Sequence, residues 1–532
     1  MFRSKALRYT IFGVSLLAAG FLSAFLIDGG LATISSNVHA DNSETTTEKN
    51  DQSIVDKINS FIFGDTTIGL TMFRGTPSRN FYGIGPIPAD PKVLWRYPDK
   101  PMCSYSEAEG VTKQWCGSGW TGQPVVWERP DGITEVIFGA YDGAVHFVNA
   151  KTGIETRPPF QTGDLIKGSV TLDPDGYPLL YFGSRDNNLR ILSLDANSSA
   201  NGNSSAAVEL WRLNANEVKG KWNNDWDGNP VVMNDFLFEG GENSWFLTVK
   251  INRSYVENSL GEKKVSVAPQ IVFKMPVWND ELIQNIGDQM VSIEGSVAFF
   301  NDRVYFANSG GRVLGLDISH VADGVAPIVF DYWVGDDVDA TIVVDEKGVL
   351  YVSSELERTN EPAASRSAQL GQFIKLDPSK QTITAQTVDV DGAITTQSSG
   401  DPYVWGVQVP KETFDKGGIW ATPAISGNYL YVTTHTGKLL TVEKETGIVT
   451  NTNYIGEHAW SSPVVAEDAS GVKKLLVATC VTGGFNQYDL TNPAIPKLTN
   501  TMPLASGACI ESTPAVWKGQ IFVGTRDGYF YS

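Results

Sequence analysis

The sequence is poor in the residues and spacings that most enzyme chemistry draws on. Among 532 residues there are four cysteines and five histidines. No C-x-x-C, C-x-x-C-H or H-E-x-x-H occurs, which removes the common zinc, haem and metalloprotease readings. No P-loop or G-x-S-x-G is present either. Basic residues are scarce beside acidic ones, 41 against 60, for a formal charge of −19 and a pI near 4.7. Binding nucleic acid needs clustered Lys and Arg, so nucleic acid is excluded as a partner. The acidity itself reads first as solubility.

What the chain does have is repetition. Residues 420–447 contain three short alternating runs, reversed at Gly427-Asn428 and at His435-Thr436-Gly437. Period-two alternation bounded by Gly and Asn predicts antiparallel strands joined by tight turns. One such meander is not stable alone and needs copies stacked against it. The same grammar recurs eight times, with innermost strands led by Thr121, Lys167, Asp227, Glu294, Asp339, Trp420, Trp460 and Glu511. Successive starts lie between 40 residues (Trp420 to Trp460) and 81 residues (Asp339 to Trp420) apart. Four-stranded repeats of roughly 40–50 residues, stretched by loop insertions, predict a propeller.

The eighth copy stops at its third strand, at Ser532. An orphan segment at 93–98 (VLWRYP) resembles 209–214 (ELWRLN), the fourth strand of the second copy. The N-terminal strand is therefore expected to complete the last blade, closing the ring and removing exposed edges. The fold class is all-β, an eight-bladed propeller of four-stranded antiparallel blades over residues 67–532. Trp95, Trp211 and Trp333 recur on fourth strands and are expected to pack between blades. Insertions are expected at 355–371, at 389–417 and in the Asn/Ser-rich loop 197–205.

Upstream, Arg3, Lys5 and Arg8 precede an apolar run over residues 9–27, and Val38-His39-Ala40 resembles a cleavage site. Residues 1–40 read as a secretory signal or, at about 19 apolar residues, as an uncleaved membrane anchor. Residues 41–66 read as a polar disordered tether, with a short helix at 55–63. Both readings put the propeller outside the cytoplasm, secreted or periplasmic, with the membrane met only through the N-terminal segment. In an oxidising compartment Cys103–Cys116 and Cys480–Cys509 are the expected disulfides. Repeat register supports the second pair: Cys480 lies in a turn of blade seven and Cys509 just before blade eight. Three sequons, at Asn197, Asn203 and Asn252, matter only in a glycosylating host.

Antiparallel connectivity puts the start of each first strand and each second-to-third-strand turn on one face. The leading residues then ring the channel mouth, and a second ring follows: Tyr141, Arg185, Glu242, Ser309, Glu355, His435, Val481 and Arg526. Asp225 and Asp337 sit two residues ahead of ring members. The sector of blades three to five is acidic; blades six and seven bring Trp420 and Trp460. Asp227, Glu242, Glu294 and Asp339 are metal-ligand candidates, since Ca²⁺ wants six to eight oxygens. Lys167, Arg185, Trp420, Trp460, His435, Glu511 and Arg526 are candidates for holding a small-molecule or protein ligand. A carboxylate with raised pKa in such a mouth can also serve as a general base. His435 itself reads most simply as a turn residue on the solvent side.

The G-x-x-D-G turns, the L-D-x-x-T-G strand ends, the S/T-P-x-V starts and the Trp-bearing fourth strands resemble pyrroloquinoline-quinone-type (PQQ-like) repeats over roughly residues 70–532. Such repeats occur in quinoprotein alcohol dehydrogenases and in non-catalytic relatives such as the outer-membrane assembly propeller lipoprotein. The chain is also similar to secreted bacterial PQQ-like repeat proteins opening with a TMFRG-type segment, here 71–75. The resemblance implies two alternatives: a binding or scaffolding module, or an alcohol or sugar dehydrogenase using PQQ and calcium. Under the second, Glu242-Asn243 and Glu294 would imitate part of the calcium set and Asp339 the base. Catalytic members carry a vicinal disulfide, and this chain has no Cys-Cys pair, which favours the first. Fold alone does not fix function.

Overall fold

The computed structural model describes residues 67–532 except 109, 121, 196–205, 258–260, 262, 413–416, 457–458, 481–482 and 505–506. The expected signal or anchor, the tether, the ring positions Thr121 and Val481 and the loop 197–205 lie wholly or largely outside the described residues.

Eight antiparallel sheets follow one another along the chain, each ordered from an inner to an outer strand. Blade six is typical: Ala424–Ser426, Tyr429–Thr433, Lys438–Glu443 and Val449–Tyr454. In blades two to seven the register slips once between the third and fourth strands. A bulge at that place increases the local twist of the outer half. The apolar core lies between neighbouring blades. Phe246 stacks on Phe306 with ring centroids 4.6 Å apart, and Phe138 on Phe530 at 3.8 Å.

The ring closes as expected. Arg96–Tyr97 pairs antiparallel with Phe530–Tyr531 as the outer strand of blade eight. The Trp95 indole N–H donates to the Ala150 carbonyl of blade one, 2.9 Å away. Gly153 lies beneath this ring, and a Cβ there would come within 2.6 Å of it. Trp405 repeats the device, donating to the Lys444 carbonyl above Gly447. This gives the T-G pair after the third strand its physical reason. Trp211 packs among residues of blades two and three. Trp333 packs in a cluster with Trp278 and Ala393, contributed by the segments after blade three and within blade five, and its N–H goes to Gly310 of its own blade.

Inner strands are tied together by the residue just ahead of the Pro, Val or Ile position. The amides of Asn229, Ser296, Thr341 and Thr422 each donate to the hydroxyl of the matching residue one blade on: Ser296, Thr341, Thr422 and Ser462. Gln123 does the same to Ser169. The S/T in the S/T-P start is thus an inter-blade acceptor for buried amides that have no sheet partner.

Residues 67–87 were not legible as an element and form a plug in the channel. Gly69–Leu70 adds to the inner edge of blade one, and Gly83–Ile84 adds in parallel to blade eight. Between them, and just beyond at Ile87, the segment bonds to blades two through seven: Thr71 to Leu172, Phe73 to Asn229, Pro77 to Phe299, Ser78 to Val344, Tyr82 to Ile425 and Ile87 to Glu467. Arg74 is fully buried and donates to the carbonyls of Thr422, Pro423 and Pro463. Arg79, also fully buried, donates to Val297, Phe73 and Asn229. Arginine suits this place because its fork of donors satisfies several carbonyls at once.

The insertions differ from their expected bounds. Residues 355–371 hold a strand, Glu355–Leu356, paired with Gly417–Gly418, and a helix, Ala363–Leu370. The second insertion is a hairpin, Thr382–Val388 with Ile394–Ser399. Residues 403–407 are blade five's own fourth strand. Apolar and polar residues alternate along 382–386 as they do in a blade strand, so pattern alone does not separate ribbon from blade. Both expected disulfides are formed.

Candidate functional site at the channel mouth

One hydrogen bond repeats around the mouth and aligns the two rings. In six blades the amide of the turn residue donates to the carbonyl two positions before the ring member. The pairs are Arg185–Leu165, Glu242–Asp225, Ser309–Ser292, Glu355–Asp337, His435–Gly418 and Arg526–Cys509. Blade one uses Tyr141 to Gly117 instead. Each turn side chain is thereby set beside the start of an inner strand. The plug runs level with the strands below, so the mouth has a floor.

The candidates fall into three clusters. In the first, the Lys167 ammonium contacts Asp227, lies 3.3 Å from Glu242 and 3.8 Å from Asp225. Arg185 is 3.0 Å from Asp225 and Asn223 donates to Glu242. Burial works against the lysine's charge, but Asp227, Glu242 and Asp225 outweigh it and hold its pKa well above the ordinary value. Burial, with Glu242 nearby, pushes Asp225 up to about 7. Burial also raises Asp227, while Lys167 and hydrogen bonds hold Glu242 low despite its own burial. This cluster already contains its cation.

In the second, oxygens of Asp337, Asp339 and Glu355 lie within 4.8 Å of one another. Asp339 and Glu355 are 7% and 3% exposed. The Asp339 Oδ1 is buried and has no hydrogen-bond partner. Burial and then mutual repulsion push Asp337 and Glu355 well up. Glu294 stands between the two clusters, accepting from Ser292 at 2.9 Å, and burial plus Asp339 raises it too. The basic group nearest in sequence, Arg358, is directed to Asp288 and to the Ser309 carbonyl. Glu355 keeps its place through Gly418, whose φ of +80° and lack of a Cβ let the strand pair form. Any other residue would be strained there.

The third cluster is aromatic. The Trp460 indole N–H donates to His435 Nδ1 at 2.7 Å. Trp420 lies edge-on to both, with centroids 3.9 Å from His435 and 4.9 Å from Trp460. His435 is buried, not on the solvent side, because the two indoles enclose it. Sequence reasoning missed this, since the H-T-G turn looks like any exposed hairpin turn. Beyond it, Arg526 meets Glu511 at 3.5 Å and lies over the rings of Tyr141 and Trp115. Trp115 comes from the disulfide hairpin Cys103–Ala108/Val111–Cys116, whose placement over the mouth nothing in the repeat grammar signalled.

The metal-ligand candidates are therefore divided. Asp227 and Glu242 surround Lys167, and Asp339 belongs with Asp337 and Glu355. Asn243 does not join Glu242: its amide donates to the Ala215 and Val218 carbonyls and its oxygen accepts from Trp245.

No protein-family model matches the chain, and no curated protein matches it. Solved structures similar to it include quinohemoprotein alcohol dehydrogenase from Comamonas testosteroni. That pair shares 13% identity over 87% of this chain and 80% of that one, with a TM-score of 0.47. BamB from Moraxella catarrhalis shares 10% identity over 72% of this chain and 98% of that one, with a TM-score of 0.37. The computationally designed Ika8 protein shares 9% identity over 78% and 95%, with a TM-score of 0.43. The likeness is one of fold, at identities that carry no residue's role across.

Proposed function

We propose that this protein is an extracytoplasmic binding propeller whose floored mouth holds a divalent cation, of the Ca²⁺ class, at Asp337, Asp339 and Glu355. The carrying observation is the contrast between two acidic clusters built by the same repeat. Each brings three carboxylates within 4.8 Å of one another. The first is compensated by Lys167; among the ion pairs of the described residues no such cation serves the second, where the buried Asp339 Oδ1 has no hydrogen-bond partner. Burying several carboxylates without a counter-charge is costly, and a cation or protons must answer it. Three convergent oxygens meet part of a Ca²⁺ shell and leave the rest for water or a ligand. The Trp420, Trp460 and His435 wall beside the site would then face that ligand. Two disulfides and the N-terminal sequence support the extracytoplasmic address.

A quinone-dependent oxidoreductase is the less well supported reading. It would need Asn243 beside Glu242 on the metal, and Asn243 is spent on main-chain partners. Glu242 is held by Lys167. These residues do not fit the group.

The test is calorimetric titration of CaCl₂ into EDTA-stripped full-length protein. One saturable site is expected, lost in Asp339→Asn and kept in Asp227→Asn. Absence of a site in the parent protein, or its loss only in Asp227→Asn, overturns the proposal.

A further inference from the structure

Two insertions foreign to the propeller repeat meet on the rim of blade four. The helix Asp280–Ile286 follows blade three, and the hairpin Thr382–Val388/Ile394–Ser399 comes from blade five. They bound a cavity of about 190 Å³ whose lining includes none of the residues of the mouth clusters. Ordering inserted residues costs backbone entropy, and a closed propeller does not need them.

The cavity floor is built from one face of the sheet. Arg312 and Trp333 are direct cross-strand partners, and Asp331 is two residues from Trp333, so all three side chains share a face. Arg312 is 3% exposed and makes a bidentate pair with Asp331, at 3.0 and 2.6 Å. Thr396 of the hairpin adds a hydrogen bond to Asp331, and Arg312 donates to the Ile394 carbonyl. Asn279 caps the helix and also reaches the Ile394 carbonyl. Ion pair, helix and hairpin thus hold one another in fixed geometry around the space. Glu281 and Asn285 face it from the helix, and Trp333 supplies an aromatic wall.

We propose that this rim cavity binds a single neutral sugar ring. Its volume is below the roughly 300 Å³ at which pockets for drug-sized ligands begin, so the occupant is one ring. The lining offers donors and acceptors in near balance, with its only buried charges already paired. Hydroxyls, which both donate and accept, fit such a lining better than an ion does. The indole of Trp333 provides the apolar surface that the C–H face of a pyranose needs. This site is independent of the cation proposed for the mouth.

The experiment uses the full-length protein with glucose, galactose, mannose and N-acetylglucosamine as probes. Saturation-transfer NMR and tryptophan fluorescence are read in EDTA. Saturable binding of at least one sugar is expected. Asn285→Ala, a half-buried helix position, should weaken it at least tenfold with an unchanged melting temperature, and Trp333→Ala should abolish it. Binding of none of the four overturns the proposal. So does binding that survives Asn285→Ala and Trp333→Ala, or that is lost in Asp339→Asn, which would place the sugar at the mouth.

Discussion

Lys167 of blade two reaches over a blade boundary to Glu242 of blade three, its ammonium 3.3 Å from the carboxylate. Among the ion pairs of the described residues, none does the same for Glu355, the equivalent turn residue of blade five. From this difference between two copies of one repeat the first predictions arise.

Lys167→Met leaves Asp225, Asp227 and Glu242 buried without their cation. Removing one partner of a buried ion pair costs about 3–5 kcal/mol. Urea denaturation at pH 7.5 should show a loss of that size. The loss should shrink at pH 5, where the carboxylates take up protons instead.

The pH dependence has a defined sign. Asp225 is shifted from 3.8 to about 7, and Asp337, Glu294 and Glu355 move in the same direction. A carboxyl with a raised folded-state pKa binds more protons folded than unfolded. Its stabilising contribution is complete below the unfolded value and is lost as pH rises through the folded one. Without divalent ions, the melting temperature should fall as pH goes from 5 to 8. With Ca²⁺ the fall should be smaller, because the ion replaces the protons. A metal-free melting temperature that rises over this range would contradict the assignment.

Gly418→Ala tests how Glu355 is placed. The added Cβ would collide with the Glu355 main chain, at a φ that L side chains avoid. Calorimetry should show Ca²⁺ affinity lowered at least tenfold. Circular dichroism should be unchanged, since the strand pair at 355–356 and 417–418 is peripheral to the blades.

Arg79→Met tests the plug. Glu239 is buried beside Arg79, and burial raises its pKa against the pull of that arginine. Losing the guanidinium strands both Glu239 and the Asn229 and Val297 carbonyls. A destabilisation of about 3 kcal/mol or more is expected by urea denaturation. Arg79→Lys should recover only part of it, because an ammonium lacks the planar fork that serves four acceptor oxygens on three residues.

Much of the wheel was legible in the sequence because the repeat writes it eight times. The S/T-P starts located the inner strands, and the likeness of the Trp95 and Trp211 segments located the closing strand. Two features were not legible. The plug has no periodicity, and nothing in its local sequence marks Arg74 and Arg79, whose carbonyl partners lie 150 or more residues away for the most part. The split of the acidic sector depends on Lys167 reaching sideways by one blade, which ring order alone does not reveal. Asp337 lies two residues ahead of a ring member and Glu355 on the second ring, but neither was legible as a metal ligand, because what holds Glu355 in place is a glycine pair some 60 residues on. His435 failed for the opposite reason, its local turn pattern being real and its indole neighbours distant in sequence.

The outermost strand of blade eight comes from residues 96–97, and the three strands inside it come from residues 515–531. On a ribosome the stretch at 96–97 must therefore wait until residues 530–531 have been made before it finds its neighbour. Sealing of the circle comes late in synthesis, and a nascent chain halted before residue 515 leaves an open arc with two sticky ends.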